Sequence, residues 1–187
     1  MSATVSPRRA ELLEQAYRYA LEHGVADLSL RPLAAAVGSS PRVLLFLFGS
    51  KAGLIQALLA RAREDELALL ERARGIGVRR AGGRDPVAVT AEVWGWLAED
   101  EHRALLKLWV EGYARSLIEP EGPWAGFAAA TVADWLDVLG EAAPEPALRT
   151  LLLAVVRGAM LDLLATGDIE RVNAAVNRQL ELLRTDG

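Results

Sequence analysis

The chain has 187 residues, a formal net charge of −4 at pH 7, 52% hydrophobic and 25% charged residues, and no cysteine. Its length suits one sizeable domain or a small domain joined to a larger one, and its composition excludes the disordered and collagen-like classes. The lack of cysteine excludes disulfides, thiolate zinc sites and cysteine nucleophiles, and we expect a cytoplasmic protein without a cofactor.

Apolar residues recur with helical spacing from near the start of the sequence. They predict a first helix over residues 7–23, which Gly24 ends. Ser29 is a suitable N-cap for a short second helix, and Gly38 ends it. This second helix is expected to bury Leu33, Ala36 and Val37.

Serine residues predict the starts of the next two helices. Ser40 followed by Pro41 provides an N-cap and a first helical residue with a fixed φ angle, opening a third helix that stops at Gly49. Ser50 caps a fourth helix, which is predicted to continue to about Arg74.

The sequence after residue 74 predicts a basic loop and then further helices. Residues 75–84 are rich in glycine and arginine, so we expect a mobile loop, although its arginines could alternatively bind phosphate. Proline and glycine residues at the expected helix ends then predict five helices, over about 85–97, 105–117, 124–139, 146–165 and 169–183. The longest strongly apolar stretch, residues 151–156, falls far below the roughly 18 residues that a membrane span needs, so no membrane partner is expected.

The second and third helices have the spacing of a helix-turn-helix, joined by Gly38-Ser39-Ser40. A DNA-reading motif of this kind needs one helix across the phosphate backbone, a tight turn, and a second helix whose N-terminal side chains reach base edges. A generic helical hairpin fits the same pattern. In both cases, Val37, Leu44 and Phe48 are expected to fill the core beneath the two helices.

Charge is distributed unevenly along the chain. The first 51 residues carry six basic and four acidic residues, whereas the remainder carries fifteen basic and twenty-one acidic residues. No acidic residue lies between Asp27 and Glu64. That interval contains Arg31, Arg42, Lys51, Arg61 and Arg63. A polyanion could approach this stretch without local repulsion, although a chance run on a solvated face is the alternative.

The stretch from Ala10 to Ala62 resembles the DNA-binding domain of the TetR family of transcriptional regulators. The resemblance rests on residues 28–40 and on the sequence Phe-Gly-Ser-Lys at 48–51. It implies an all-α protein of about nine helices, with an N-terminal three-helix helix-turn-helix domain over residues 1–50 and a helical ligand-sensing and dimerisation bundle over residues 51–187. It also implies a regulator, expected to be a repressor and not an enzyme, that binds a near-palindromic operator in double-stranded DNA as a homodimer.

The resemblance also assigns roles to individual residues. Ser40 and Pro41 would open the recognition helix, and Lys51 would meet a phosphate where the dipole of the fourth helix attracts an anion. Arg31 would hold the DNA backbone in the same way. The side chains placed near the groove are Arg42, Val43, Leu45 and Phe46.

The recognition helix departs from the family pattern. Family members usually carry a tyrosine, and often a polar residue, where this chain has Leu45-Phe46-Leu47. Leucine cannot donate the hydrogen bond that a tyrosine hydroxyl gives to a phosphate, although exposed leucine and phenylalanine could touch thymine methyls. The alternative is a helical interaction module whose degenerate helix-turn-helix is covered by a protein partner and no longer binds DNA.

Aromatic residues concentrate in the fifth to seventh helices. Aromatic side chains of this kind suit the lining of a pocket for a small apolar or aromatic effector, which Glu111 or Arg115 could help to orient. The residues proposed for this pocket are Trp94, Trp109, Glu111, Tyr113, Trp124, Phe127 and Trp135. Ordinary core packing is the alternative for each of them.

The last two helices carry apolar stripes that the family resemblance assigns to a dimer interface. The residues proposed for it are Leu152, Val156, Met160, Leu163, Val172, Val176 and Leu180. The alternative is that these stripes fill the core of a single subunit.

Catalysis has little support in the sequence. There are two histidines, no glycine-rich phosphate loop and no nucleophile motif. Glu99 and His102 form a Glu-x-x-His pair of the kind used by di-iron bundles, but the second such pair is incomplete because Ala20 lies three residues before His23. We therefore expect neither an enzyme nor a metal site.

Overall fold

The computed structural model describes residues 6–76, 85–140 and 142–185. Within these ranges the chain forms nine α-helices, a short 3₁₀ turn at Asp100–His102 and no strand, which confirms the predicted all-α class. The helices are α1 Pro7–His23, α2 Leu30–Ala36, α3 Pro41–Phe48, α4 Lys51–Ile76, α5 Pro86–Leu97, α6 Arg103–Ile118, α7 Phe127–Gly140, α8 Pro146–Thr166 and α9 Ile169–Thr185.

Local capping chemistry sets several helix ends. The Ser40 hydroxyl accepts a hydrogen bond from the Val43 N–H at 3.3 Å, and the Asp85 carboxylate accepts one from the Val87 N–H at 2.9 Å. Gly167 ends α8 in the left-handed region at φ 70°. Each of these ends agrees with the prediction from sequence, because a capping side chain or a glycine acts on its own turn.

One helix cap and two helix boundaries differ from prediction. Ser29 precedes α2 in an extended conformation, but its hydroxyl makes no capping hydrogen bond. Helix α4 continues through Gly75 to Ile76, so the predicted loop starts later; its remaining residues, 77–84, lie outside the described residues. Helix α7 begins at Phe127 and not at Trp124, because residues 124–126 form turns that include Gly126 at φ 74°.

The chain divides into two compact units. Unit 1 comprises Met1–Glu64 and Lys107–Ala128, and unit 2 comprises Asp65–Leu106 and Ala129–Gly187. Helices α4, α6 and α7 contribute residues to both units. The predicted domain boundary after residue 50 falls inside unit 1 and stays a prediction.

Unit 1 is built around helices α1, α2 and α3. Leu12, Leu33 and Leu44 are fully buried, and the burial of Val37 and Phe48 confirms the predicted core beneath α2 and α3. The expectation that Ala36 is buried was wrong, since α2 turns Ala34 inward and leaves Ala36 exposed.

Helix α6 approaches α4 closely at Gly112. A β-carbon at this position would lie 2.9 Å from Leu59 Cδ2 and 3.1 Å from Phe127 Cε1. Only glycine therefore fits here without displacing a neighbour.

Unit 2 is built around helices α5, α8 and α9, which pack against one another. Its core contains six of the seven residues that the sequence assigned to a dimer interface: Leu152, Val156, Leu163, Val172, Val176 and Leu180. The seventh, Met160, is half-buried. Burial of these six within one chain agrees with the alternative that the stripes fill the core of a single subunit, because such side chains offer no surface to a second chain.

Among the residues that the structure describes, no single helix is long and apolar enough to cross a membrane. A bent pair, α3 taken together with Lys51–Arg72 of α4, reaches the required length and composition, and these two segments meet at 70°.

Candidate functional site

Helices α2 and α3 form a tight helix-turn-helix in unit 1. The turn between them contains Gly38 at φ 59°, a conformation that favours glycine, and the Ser39 N–H donates to the Ala34 carbonyl at 2.8 Å. The Ser40 cap and Pro41 then start α3 immediately after the turn. This geometry is the arrangement that the residue spacing predicted.

Helix α3 has one buried and one exposed face. Leu44 and Phe48 face the core, whereas Arg42 is exposed on the opposite side. The exposed face also carries three apolar side chains, Val43 at 39%, Leu45 at 38% and Phe46 at 85% exposure. The residues predicted to lie near a DNA groove are therefore on the surface.

Positive charge accompanies this exposed face. Arg31 on α2, Arg42 on α3 and Lys51 at the first residue of α4 are all exposed, and none has an ion pair among the described residues. Arg61 differs, because its guanidinium lies 2.6 Å from the Glu14 carboxylate and 4.8 Å from the centre of the Tyr17 ring. Arg61 therefore stabilises unit 1 and adds little net charge to the surface.

Arg9 on α1 supports the end of α3. Its Nε donates to the Leu47 carbonyl at 3.3 Å, and its guanidinium lies 4.9 Å from the centre of the Phe48 ring. A cation at this position also complements the negative end of the helix dipole. The sequence analysis missed this residue, because the spacing of residues along α1 does not show which helix end it meets.

Glu111 is held by the backbone that follows α1. Its two carboxylate oxygens accept hydrogen bonds from the N–H groups of Val25 and Ala26, each at 2.7 Å. From the sequence alone, Glu111 is predicted to orient a ligand. In the structure, its acceptor oxygens serve the connection between α1 and α2.

The aromatic residues proposed for an effector pocket are divided between the two units. Trp109, Tyr113, Trp124 and Phe127 belong to unit 1, whereas Trp94 and Trp135 belong to unit 2. All but the half-buried Tyr113 are buried. Their common role in ligand binding stays a prediction, and their burial agrees with the core-packing alternative.

The indole N–H groups of three of these tryptophans already have partners within the chain. Trp94 donates to the Asn173 side chain at 2.8 Å, and Trp109 donates to the Ala62 carbonyl at 3.2 Å. Trp135 donates to the Glu66 carboxylate at 2.5 Å. These hydrogen bonds hold the rings in the cores of their units.

Glu66 is a buried acid that the sequence analysis missed. Burial raises its pKa to about 7, against the lowering effect of hydrogen bonds from Trp135 and Thr131. The signal was present in the sequence, because Glu66 lies four residues after Ala62 and three before Leu69 on an otherwise apolar stripe of α4.

A cleft of about 580 Å³ opens in unit 2 among helices α4, α5 and α9. Trp96 lines it as a half-buried ring, stacked on His102 at 3.4 Å between ring centres, with the Arg72 guanidinium 5.5 Å from its ring centre. Arg184 and Glu92 line other parts of the cleft. None of the residues proposed from sequence as ligand-binding lines it.

The Glu-x-x-His pair lies next to this cleft. Glu99 and Glu101 are exposed, and their carboxylates lie 3.7 Å and 3.3 Å from the two ring nitrogens of His102. His102 Nδ1 is also 2.8 Å from the Trp96 carbonyl oxygen. The ring therefore fixes the 3₁₀ turn against α5, and the ligand atoms of Glu99, Glu101 and His102 lie within 4.8 Å of one another.

Sequence comparisons place the N-terminal region among known regulators. Residues 12–58 match the family model described as bacterial regulatory proteins, tetR family. HTH-type transcriptional regulator Rv1816 of Mycobacterium tuberculosis is 31% identical over 94 residues, which are 50% of this chain and 40% of that protein. HTH-type transcriptional regulator Mb1846 of Mycobacterium bovis matches with the same values, so the match spans less than half the length of these relatives.

Structural comparisons extend the likeness to nearly the whole chain. SCO4454, a TetR-family transcriptional regulator from Streptomyces coelicolor, superposes with a TM-score of 0.76 at 21% identity, covering 98% of this chain and 91% of that chain. The multidrug binding protein EbrR complexed with proflavin superposes with a TM-score of 0.67 at 23% identity, covering 91% of this chain and 98% of that chain. The resemblance found in the sequence is confirmed for residues 12–58, which match the model of the tetR family of bacterial regulatory proteins, and the fold of nearly the whole chain is similar to that of a TetR-family regulator.

Proposed function

We propose that the chain is a homodimeric, ligand-responsive repressor that binds a near-palindromic operator through α3. The observation that carries this proposal is the exposure of Arg42 on a serine-capped helix, flanked by the exposed cations Arg31 and Lys51. Because residues 28–63 contain no acid, nothing in this stretch repels a phosphate backbone.

The three cations would contact different parts of the DNA. Arg42 is near the N-terminal end of α3, where a recognition helix presents side chains to base edges. Lys51 begins α4, whose first N–H groups and dipole favour an anion, and the Ser50 hydroxyl there already caps the Gly53 N–H at 2.9 Å. Arg31 and Lys51 would therefore contact phosphates, and such contacts set affinity and salt dependence more than sequence choice.

A homodimer would form through the exposed face of the α8–α9 pair. Asp162 and Arg171 make a double hydrogen bond across these two helices, at 2.8 and 2.6 Å, and so fix their register. Leu151 precedes Asp162 by eleven residues and Leu182 follows Arg171 by eleven, about three helical turns in each case. The two exposed leucines are therefore at the same level on the face that carries the ion pair.

Small exposed residues continue this face between the leucines. They are Ala154, Gly158 and Ala165 on α8 and Ala174 and Ala175 on α9. Small side chains allow the helices of two chains to approach closely, and the apolar surface would be buried in the interface. This set replaces the interface residues that the sequence proposed.

The symmetry of such a dimer predicts the form of the operator. Two recognition helices would reach successive major-groove faces about 34 to 36 Å apart, so the half-sites would be inverted copies of each other. Repression would follow where the operator overlaps a promoter, because occupancy of that site excludes polymerase.

The effector would occupy the cleft beside Trp96. This cleft suits a flat aromatic molecule, because it offers the indole face of Trp96 and charged groups at its margin. The molecule would displace the Arg72 guanidinium from the Trp96 ring. The structural relative EbrR is described as a multidrug binding protein and holds proflavin. Bound effector would change DNA affinity only if it prefers one of two conformations of the dimer.

The decisive experiment selects bound fragments from genomic DNA with the purified protein and titrates the selected site at several salt concentrations. The affinity should fall steeply with salt, and the double variant Arg42→Ala with Lys51→Ala should reduce both affinity and salt slope. Lys107→Ala, which removes an exposed cation on α6, is the matched control and should change neither. Failure to enrich any sequence, with salt-independent retention of DNA, would refute the proposal.

The exposure of Phe46 favours one second candidate, a protein-interaction module without DNA binding. The same titration separates the two functions. A protein-binding surface predicts that Phe46→Ala abolishes partner binding, while Arg42→Ala and Lys51→Ala have no effect on any DNA interaction.

A further inference from the structure

The exposed face of α3 offers very few hydrogen bonds to a DNA groove. From residue 42 to the end of the helix, the exposed side chains are those of Arg42, Val43, Leu45 and Phe46. Only Arg42 among them can donate a hydrogen bond. Direct reading of bases by this helix must therefore depend on one guanidinium and on apolar contact.

We propose that Val43, Leu45 and Phe46 read the C5-methyl groups of thymines, so that each operator half-site carries thymines under this apolar surface and a guanine under Arg42. The proposal rests on the proposed function, since it names what the same surface recognises. Thymine methyls are the apolar feature of the major groove, and arginine forms paired hydrogen bonds with guanine.

The alternative bases would be penalised. Burying a leucine or phenylalanine side chain against the edge of a G·C pair removes water from donors and acceptors that the side chain cannot satisfy. A thymine methyl instead offers apolar surface that gains from leaving water. Sequence choice would therefore come from the cost of wrong bases as much as from contact with the right one.

The surroundings of this apolar surface favour DNA over a protein partner. Arg31, Arg42 and Lys51 are exposed cations on α2, α3 and α4, and the chain from residue 28 to residue 63 has no acid. An apolar strip with cations on the neighbouring elements is complementary to a major groove, whose methyl-bearing floor lies between two rows of phosphates.

The helical spacing also predicts the order of bases. Phe46 follows Arg42 by four residues and Val43 by three, so these side chains are neighbours on one face, with β-carbons about 5–6 Å apart. Base pairs stack at about 3.4 Å, so the guanine read by Arg42 should lie within about two base pairs of the thymine under Phe46.

The test uses the operator sequence enriched in the genomic selection. Each thymine of a half-site is replaced in turn by deoxyuridine, which removes only the methyl, and each substituted duplex is titrated. At contacted positions we expect affinity to fall about fourfold per methyl. Replacing the same thymine by cytosine should weaken binding further, and 5-methylcytosine should recover part of that loss.

The variant Phe46→Ala links the effect to one side chain. Because Phe46 is 85% exposed, its truncation should leave the fold intact, and the variant should no longer distinguish thymine from deoxyuridine at one position. Ile118→Ala, which truncates a 72% exposed apolar side chain on α6, is the matched control and should keep the full deoxyuridine penalty.

The outcomes separate this inference from the proposed function. Specific, salt-dependent binding that is indifferent to deoxyuridine at every position would overturn methyl reading and leave DNA binding intact. Loss of the penalty at one position in Phe46→Ala alone would support the inference. An unchanged penalty in Phe46→Ala would overturn the role given to that side chain.

Discussion

The indole N–H of Trp135 donates a hydrogen bond of 2.5 Å to the carboxylate of Glu66 in the core of unit 2. The hydroxyl of Thr131 donates to the second oxygen at 3.3 Å, and Glu66 is only 1% exposed. Burial penalises the charged form more than these hydrogen bonds favour it, and the pKa of Glu66 is raised to about 7. Unit 2 therefore contains an acid that changes charge close to neutral pH.

This raised pKa predicts that stability falls as pH rises. Between pH 4.5 and about 7 the folded protein keeps the proton on Glu66 while the unfolded chain has released it, so the free energy of unfolding decreases through this window. The total decrease from this group is about 3 kcal/mol. Glu66→Gln keeps an acceptor for Trp135 without a charge, so the variant should lack this decrease.

Urea unfolding of the native chain and of Glu66→Gln at pH 5 and pH 8 measures the difference. The variant should match the native chain at pH 5 and exceed its stability at pH 8. Glu92→Gln, which neutralises an exposed acid of the same unit, should follow the native pH dependence. Identical pH dependence in the native chain and Glu66→Gln would show that Glu66 is already ionised in the fold.

The sequence predicted the features that depend on residues close together in the chain, such as helix ends and turns. The ends marked by Ser40, Asp85 and Gly167 were correct because capping is settled within one helical turn. The turn and exposed face of the helix-turn-helix were correct for the same reason, since α2 and α3 are joined by few residues. The start of α7 was misplaced because tryptophan and alanine at 124–125 fit a helix as well as a turn.

The partner of each buried stripe could not be predicted. The apolar faces of α8 and α9 were identified, but a stripe shows which side is buried and not whether its own chain or a second chain covers it. Leu152 and Val176, which the sequence assigned to a dimer interface, are therefore buried in the core of unit 2. Composition alone left Trp96 out of the proposed pocket and placed Glu111 in it. The role of Glu111 depends on hydrogen-bond partners more than 80 residues away in the sequence.

Glu111→Ala should destabilise unit 1. The substitution leaves the N–H groups of Val25 and Ala26 without their acceptors, and Val25 is fully buried. Hydrogen bonds to a charged acceptor contribute about 1.5–3 kcal/mol each, and because Glu111 is half-buried we expect the free energy of unfolding to fall by about 3 kcal/mol, the lower end of the sum of two such bonds. Urea unfolding measures this loss, and Glu111→Gln should show a smaller one.

Glu119→Ala is the matched control for Glu111. It removes an acid from just after the end of the same helix, where the carboxylate pairs with Arg115 at a partly exposed site, a contact expected to contribute less than about 1 kcal/mol. If Glu111→Ala costs no more than Glu119→Ala but weakens effector binding, Glu111 orients a ligand as the sequence first suggested.

Gly158→Arg should prevent dimer formation without harming the subunit. No atom lies within 4 Å of a β-carbon built at Gly158, so the larger side chain fits on the surface of a single chain. Replacing a helical glycine should even stabilise α8 slightly. In a dimer built on this face, the arginine would hold the two chains apart, and light scattering should report a monomer that binds a half-site but not the full operator cooperatively.

Gly95→Arg provides the comparison for the dimer face. Gly95 is also an exposed helical glycine with open space above it, but it lies on α5. This variant should remain dimeric. If Gly158→Arg has the native mass in solution, the α8–α9 face is not the interface.

Trp96→Ala should weaken effector binding at the unit 2 cleft, and proflavin is the probe. Stacking on the Trp96 ring is expected to contribute about three- to tenfold in affinity, which a fluorescence titration of proflavin can resolve. Trp94→Phe alters a buried tryptophan that bonds Asn173 and does not line the cleft, so it should bind the probe as the native chain does. The opposite result, with Trp94→Phe impaired and Trp96→Ala normal, would move the effector from the cleft to the aromatic core, because only a ligand inside the core would contact the Trp94 ring.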